Sequence, residues 1–175
     1  MNIILETEQL ILRELEYEDA PFIVELDADP EVMRFIGLGV PQFHELEKIR
    51  KGVDRDKEGF KKNGFWLWAV QSKLNNKFMG WAGMLPFPET GEVEVGYRFL
   101  REYWGHGFAT EITRAILKHA FETLKMKRII AIVQPANKAS VRVLEKSGLK
   151  YEKMIVHRSI PVAYYSIEAP QPIKK

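Results

Sequence analysis

Cysteine is absent from this 175-residue sequence. Its absence excludes disulfide scaffolds, thiolate metal sites, iron–sulfur clusters and every reaction that passes through a cysteine-bound intermediate. Any catalysis by this chain must therefore depend on carboxylate, hydroxyl, imidazole, amine or backbone groups.

Long hydrophobic runs are missing as well, and 29% of the residues are charged. A helix that crosses a bilayer needs about 18 or more consecutive apolar residues, so we expect no membrane-spanning segment. The opening MNIILETEQL carries acidic side chains almost at once, and it lacks the basic region and apolar stretch of a secretory signal. We therefore expect a cytoplasmic protein.

The sequence also lacks internal repeats, low-complexity tracts and a linker rich in Pro, Gly or Ser. With 46% hydrophobic residues, a chain of this length is long enough to bury one core. We therefore expect residues 1–175 to form a single domain. The four histidines show no paired spacing, so we expect no metal site.

Charge of one sign is not in excess overall, because 26 Lys and Arg oppose 24 Asp and Glu, but it is unevenly distributed. Residues 1–32 contain ten acids and one base, whereas residues 101–158 contain twelve bases and five acids. Two solvated faces are one interpretation, and an anionic ligand held by the later segment is the other. The bases come without a helix-turn-helix or base-stacking aromatic pattern, so we expect no nucleic-acid partner.

Turn residues and hydrophobic periodicity divide the chain into strands and helices in the order β-α-α-β-β-β-α-β-α-β-β. This order predicts an α/β fold in which a mixed sheet carries helices on both faces. The predicted strands are residues 10–15, 65–70, 78–85, 92–100, 129–133, 150–156 and 162–168, and the predicted helices are residues 17–29, 42–62, 109–123 and 138–147.

The strand predicted at residues 92–100 alternates, so successive side chains point to opposite faces. Glu92 and Glu94 therefore share one face, together with Gly96 and Arg98. The opposite face is apolar and carries Val93, Val95, Tyr97 and Phe99.

A loop with two glycines, Trp104-Gly105-His106-Gly107-Phe108-Ala109-Thr110, lies between that strand and the next predicted helix. Glycines allow a tight turn and the close approach of a ligand, and the first amides of a helix point outward at the positive end of its dipole. This combination predicts an anion site whose natural occupant is a pyrophosphate. A plain strand-to-helix turn is the alternative. The Lys-Ser/Thr of a P-loop and the three-glycine dinucleotide pattern are both missing.

The same loop resembles motif A of the GCN5-related N-acetyltransferases (the GNAT family), Gln/Arg-x-x-Gly-x-Gly/Ala. Gly107 and Ala109 stand at its small positions, and Trp104 stands where the family usually has Gln or Arg. The fuller string YWGHGFATE resembles the branch that includes the ribosomal-protein N-terminal acetyltransferases. Three further segments resemble that branch, so that the resemblance spans residues 6–167: ETEQLILR at 6–13, DPEVMR at 29–34 and NKASVRVLEKSGL at 137–149.

This resemblance implies a GNAT-like fold, in which the strand at 92–100 is splayed from the following parallel strand, and an enzyme that transfers the acetyl group of acetyl-CoA to an amine. The pantetheine arm would enter the splay and bond the backbone of Phe99 and Leu100. Asn137 would bond the cofactor from a neighbouring loop. The pyrophosphate would lie on Gly105, His106, Gly107, Phe108, Ala109 and Thr110.

Direct transfer needs a group that takes the proton of the amine and a group that protonates or stabilises the leaving thiolate. Glu94 is the predicted base, because the resemblance matches it to the strand carboxylate of the family and because Glu92 on the same face would raise its pKa. The alternative is that Glu94 is a structural carboxylate and that water accepts the proton.

Ser140 is the predicted acid, since the resemblance is to enzymes with a serine near the CoA sulfur where other members have a tyrosine. A serine that bonds its own helix backbone is the alternative. Tyr151, Tyr164 and Tyr165 are reserve candidates. The bases Lys138, Arg142 and Lys146 either meet the 3′-phosphate of the cofactor or are solvated helix charges.

The resemblance implies an amine acceptor, either a small molecule or a protein N-terminus, and a monomer or homodimer. The acidic first third of the chain is compatible with a cationic acceptor, although one exposed helix face would give the same count. Loops near residues 33–64 and 157–163 are expected to select the acceptor. A catalytically weak acyl-CoA-binding or sensing module is the alternative function, and it would show no turnover with any amine.

Overall fold

An eight-stranded mixed sheet organises the computed structural model of the protein, which describes residues 2–170. The strands lie in the order β1-β2-β3-β4-β5-β6-β8-β7, and every neighbouring pair is antiparallel except β5 and β6. Their bounds are β1 Ile3–Glu6, β2 Leu10–Arg13, β3 Leu67–Ser72, β4 Phe78–Pro86, β5 Val93–Phe99, β6 Arg128–Val133, β7 Lys150–His157 and β8 Ile160–Glu168.

Helices cover both faces of this sheet, as the order of elements predicts. Trp68 and Val70 of β3 pack in one core, against α4 and α5, while Leu67 and Ala69 pack in a second core, against α1 and α3. This alternation follows from the two-residue period of a strand. The helices are α1 Ala20–Ala28, α2 Pro30–Met33, α3 Leu46–Asn63, α4 Phe108–Glu122 and α5 Lys138–Lys146.

Helix α4 packs through side chains spaced three and four residues apart, which place one apolar stripe against the sheet. Ile112, Ile116 and Ala120 are fully buried in the larger core, and Leu117 is nearly so. Burial of each large aliphatic side chain contributes about 1.5–3 kcal/mol. The stripe therefore fixes the position of the α4 N-terminus relative to the end of β5.

The start of the chain differs from the prediction. A further strand, β1, pairs antiparallel with β2, and its Ile4 and Leu5 pack against the larger core. The predicted first strand ends at Arg13, because Leu15 leaves the sheet to pack in the second core.

The first two predicted helices also begin later than expected. A 3-10 turn at Tyr17–Asp19 precedes α1, and the short α2 follows at once, capped by the Asp29 carboxylate, which accepts a hydrogen bond from the Glu31 amide at 2.8 Å. Helix α3 begins at Leu46 and ends as predicted at Gly64, whose φ of 75° suits a glycine cap. No helix within residues 2–170 is long and apolar enough to cross a membrane.

The central parallel pair is splayed. Strands β4 and β5 pair along their whole length, from Pro86 with Val93 to Gly80 with Phe99. Within the described chain, β5 and β6 share a single register pair, Glu94 with Ile130. The sheet therefore opens beyond Glu94, toward the carboxyl ends of both strands.

Candidate active site

The glycine loop lies where β5 meets α4. A 3-10 turn at Arg101–Tyr103 follows the strand, and Gly105 and Gly107 adopt φ angles of 81° and 85°. Those angles are left-handed and favour glycine. A side-chain carbon at either glycine would meet no atom within 4 Å, so both backbones face open space. This space is where a ligand would approach the loop.

The start of α4 supplies donors to the same space. Gly107 caps the helix, and the first amides of a helix have no acceptor within it, so those of Phe108 and Ala109 are free to meet an anion. The Thr110 amide already donates to the Gly107 carbonyl at 3.0 Å. Thr110 therefore has its hydroxyl, not its amide, to offer a ligand.

Trp104, which departs from the family motif, anchors the loop to the strand. Its indole Nε1 donates to the Phe99 carbonyl at 2.9 Å, while the Leu100 amide donates to the Met79 carbonyl at 2.9 Å. The Leu100 carbonyl accepts from Tyr103 at 3.0 Å. Since a carbonyl oxygen has two lone pairs, Phe99 and Leu100 can each accept one further hydrogen bond at the open end of the splay.

The N-terminus of α5 lies on the same face as α4. Asn137 caps it, because its Oδ1 accepts a hydrogen bond from the Ser140 amide at 3.1 Å. The cap is thus made by the asparagine and not by the Ser140 hydroxyl. The Asn137 amide nitrogen and the Ser140 hydroxyl are both left for other partners.

Tyr97 is a site residue that the sequence did not single out. Its side chain points from β5 toward Ser140, and burial raises the pKa of Tyr97 to about 12, against a lowering by the Ser140 hydroxyl. The two groups fall short of hydrogen-bond geometry, so the buried phenol oxygen has no partner within residues 2–170. Its only sequence signal is a hydroxyl on an otherwise apolar strand face.

Glu94 lies half-buried at the point where the splay begins. Burial raises the pKa of Glu94 to about 7; the nearby Glu89 adds to this effect, while the Ile132 amide and Arg158 oppose it. A carboxylate with a pKa near neutrality can accept and release protons under ordinary conditions.

The prediction that Glu92 raises the pKa of Glu94 is wrong, because Glu92 is occupied elsewhere. Glu92 accepts from the Arg128 guanidinium at 2.8 Å and from the Tyr164 hydroxyl, and the Tyr164 bond holds the pKa of Glu92 below its usual value. The charge that acts on Glu94 is Glu89, which lies in the β4–β5 loop. A loop contact of this kind has no periodic signal in a sequence.

The three reserve candidates for the acid do not lie together. Tyr164 is bound to Glu92, while Tyr165 packs in the core that contacts α4 and α5, and Tyr151 contacts Tyr165 edge-on. The three bases of α5 are exposed, which suits both interpretations given for them. No group of three or more potential metal ligands is found within residues 2–170.

A cavity of about 570 Å³ lies between α1, α3 and the face of the sheet that carries Glu94. Arg98 and Trp81 form part of its floor, and Asp27 pairs with Arg98 at its side. Gln134 holds the loop that contains Phe35 and Gly37, since its side-chain amide donates to their carbonyls at 3.2 and 3.3 Å. Of the two segments predicted to select the acceptor, residues 33–64 supply much of the cavity lining, and residues 157–163 do not line it.

The chain is similar to known proteins in sequence and in fold. Residues 9–150 match the sequence profile of the acetyltransferase (GNAT) domain. The chain is 33% identical over 164 residues to the uncharacterized protein YkkB of Bacillus subtilis, covering 92% of this chain and 93% of that protein.

Two solved structures have the same fold. An acetyltransferase of the GNAT family from Bacillus anthracis is 29% identical, with a TM-score of 0.80 over 95% of this chain and 98% of that one. The ribosomal L7/L12 alpha-N-protein acetyltransferase RimL, solved in complex with coenzyme A, has a TM-score of 0.81 over 95% and 98% at 16% identity. At that identity the likeness is one of fold.

Proposed function

Because the chain belongs to the GNAT family of acetyltransferases, we propose that it transfers the acetyl group of acetyl-CoA directly to a primary amine, with Glu94 as base and Ser140 as acid. The observation that carries this proposal is the position of Glu94, a carboxyl group with a pKa of about 7 where β5 and β6 separate. We further propose that residues 1–175 act as one domain.

The residues at the loop fit the cofactor. The open space at Gly105 and Gly107 and the free amides at the start of α4 suit a pyrophosphate. The carbonyls of Phe99 and Leu100 would bond the pantetheine arm, and the side chain of Asn137 would bond the cofactor from the neighbouring loop. When bound, acetyl-CoA supplies an activated thioester.

Glu94 prepares the amine for attack. An alkylamine is mainly protonated at neutral pH and cannot attack a thioester in that form. A base whose pKa lies near the working pH is present as carboxylate and still holds the proton it accepts, which gives the most effective general-base catalysis. Glu94 meets this condition through burial, on the face of the sheet opposite to α4 and α5.

Ser140 serves the leaving group from the other face. Its hydroxyl is not used in capping α5, and the buried Tyr97 hydroxyl lies beside it. Ser140 would donate a proton to the departing sulfur, and Tyr97, whose hydroxyl has no partner within residues 2–170, would be a positioning residue that orients the serine. Base and acid thus approach the reacting centre from opposite sides of the splay.

An assay of CoA release against a broad panel of primary amines tests this function. We expect turnover with at least one amine and submicromolar to micromolar binding of acetyl-CoA by calorimetry. A protein that binds acetyl-CoA and turns over none of the panel is the sensing module; a folded protein that does not bind acetyl-CoA contradicts the proposal itself.

A further inference from the structure

The geometry points to a substrate class: the acceptor is a small amine that carries a carboxylate, and the cavity between α1, α3 and the sheet binds that carboxylate. This inference rests on the proposed function and extends it from the amine to the remainder of the acceptor. The residues that decide it are Asp27, His44, Lys48, Lys51, Trp81 and Arg98.

The cavity lies on the route to the proposed base. Arg98 and Glu94 project from the same face of β5, four residues apart, so their α-carbons are about 13 Å from one another. Gly96 stands between them, and a side-chain carbon there would meet no atom within 4 Å. The open strip over Gly96 therefore lets one elongated molecule reach from Glu94 to the cavity.

Cations line the cavity from α3. Lys48, Lys51 and Arg55 recur at intervals of three and four residues, which places them on one face of the helix, and all three line the cavity. The Lys48 Nζ lies 3.2 Å from Nδ1 of His44, and neither Lys48 nor Lys51 forms an ion pair with a carboxylate within residues 2–170. At least two positive charges at the rim are thus uncompensated.

Both carboxylates that line the cavity already have partners within the protein. Asp27 forms an ion pair with Arg98, whose side chain is 15% exposed. Asp56 accepts a hydrogen bond from the Trp66 indole at 3.0 Å and lies beside Arg55. Since neither acid is free, the cavity attracts anions and disfavours a second positive charge on the acceptor.

Arg98 is built to hold a carboxylate. Its guanidinium lies 5.0 Å from the centre of the Trp81 ring and is fixed by Asp27 through Nη1. Within the described chain Arg98 makes no other hydrogen bond; its Nε is buried without a partner, and its Nη2 remains available to a ligand. A fixed, planar guanidinium is the preferred partner of a carboxylate.

The acidic first third of the chain does not oppose this inference. Of the acids in residues 1–32, Asp27 alone lines the cavity, and it forms an ion pair with Arg98. Asp19 is buried in an ion pair with Arg13, and Asp29 caps α2. The cationic acceptor suggested by counting charges is therefore not favoured by their positions.

A matched series of acceptors tests the inference. Linear ω-amino carboxylates from aminobutyrate to aminooctanoate are compared with their carboxamides, which have the same length without the charge. We expect KM to fall with chain length among the carboxylates and to be at least about 10-fold lower than for the amide of equal length. One decade corresponds to about 1.4 kcal/mol, a value reached by two partly exposed ion pairs.

The double variant Lys48→Gln/Lys51→Gln, in which Arg98 is intact, should weaken this preference by raising KM for the carboxylates up to about 10-fold, with KM for the amides and the affinity for acetyl-CoA unchanged. Lys61→Gln/Lys62→Gln, on the last turn of the same helix and outside the cavity, is the matched control and should behave as wild type.

Equal KM values for carboxylates and amides, or a double variant that retains the preference, would overturn the inference. Absence of turnover with either series in a protein that binds acetyl-CoA would overturn it too. Loss of acetyl-CoA binding would instead contradict the proposed function, so the two failures are distinguishable.

Discussion

At the scale of single residues, burial changes the acid–base chemistry of Glu94. The variant Glu94→Gln should lower kcat by about 100-fold or more, the usual contribution of a positioned base, with little change in acetyl-CoA affinity. In the wild type, kcat should fall as the pH drops below about 7, because Glu94 becomes protonated. The pH–rate profile of the variant should lack this acidic limb. If Glu94→Gln keeps wild-type turnover at neutral pH, water or another residue accepts the proton of the amine.

The same raised pKa has a cost in stability. A glutamate whose pKa rises from 4.5 to about 7 on folding favours the folded state while it is protonated, and that contribution is lost as the pH rises through 7. Glu94→Gln should therefore raise the free energy of unfolding at pH 8 by up to about 3 kcal/mol, with little gain at pH 4. Urea unfolding at the two pH values measures the difference. An equal change in the free energy of unfolding at both pH values would show that burial does not disfavour the charged form of Glu94.

We expect Ser140 to contribute less to the rate than Glu94, because a thiolate with a thiol pKa of about 8.5 is already a fair leaving group near neutral pH. Ser140→Ala should slow the chemical step about 10-fold, as measured in single-turnover experiments. Tyr97→Phe, which removes only the neighbouring hydroxyl, should cause a smaller loss in the same direction. A CoA-bound structure with the Ser140 hydroxyl out of reach of the sulfur, and no bridging water, would exclude the role.

At the scale of elements, we propose that the loop at the start of α4 binds the cofactor. Gly107→Glu should abolish acetyl-CoA binding in calorimetry, since a side chain and a negative charge would enter the space where the amides meet the pyrophosphate. Gly64→Glu is the matched control, because Gly64 has a φ of 75° and equally open surroundings but ends α3. Binding should persist in that variant. Unchanged affinity in a folded Gly107→Glu protein would remove the loop from the cofactor site.

The elements that the sequence predicted well are those with strong local signals. The stripe of α4, the alternation of β5 and the glycine end of α3 are all periodic or conformational patterns, and each element lies where they indicate. Strand β1 was missed because three adjacent apolar residues, Ile3, Ile4 and Leu5, show no alternation.

The parts of the site that the sequence did not predict depend on contacts between distant segments. Glu89 reaches Glu94 from a loop, and Tyr97 meets Ser140 across the β5–α5 interface. The pairing of Asp27 with Arg98 joins α1 to β5 over 71 residues of sequence. No repeat or motif in the sequence signals these contacts, because they form only when the folded sheet brings distant segments together.

At the scale of the whole molecule, Arg128 ties four strands together. It begins β6 and donates to Glu92, Glu152 and Glu168 at 2.8, 2.7 and 2.6 Å, which lie beside β5, on β7 and at the end of β8. Arg128→Met should lower the free energy of unfolding by about 1–3 kcal/mol at pH 7. Arg101→Met, which removes an exposed partner of Asp29, is the control and should cost less.

The effect of Arg128→Met should depend on pH. Hydrogen bonds from Tyr164 to Glu92 and from Ser166 to Glu152, together with Arg128, hold the pKa of both carboxylates below their usual value. Stability from such groups is present above the ordinary pKa of glutamate and is lost as the pH falls. Denaturant unfolding should show the deficit shrinking below about pH 4. A deficit that is constant with pH would mean that Arg128 acts through packing alone.

The splay between β5 and β6 also has a mechanical consequence. Within residues 2–170, the strand pairing between the two parts of the sheet, β1 to β5 and β6 to β8, is limited to Glu94 with Ile130, and the sheet is open beyond that pair. A ligand that fills this gap stabilises the folded sheet, because binding to the folded state alone raises the free energy of unfolding as the ligand concentration rises. The free energy of unfolding of the whole molecule would then rise and fall with the concentration of its acetyl donor.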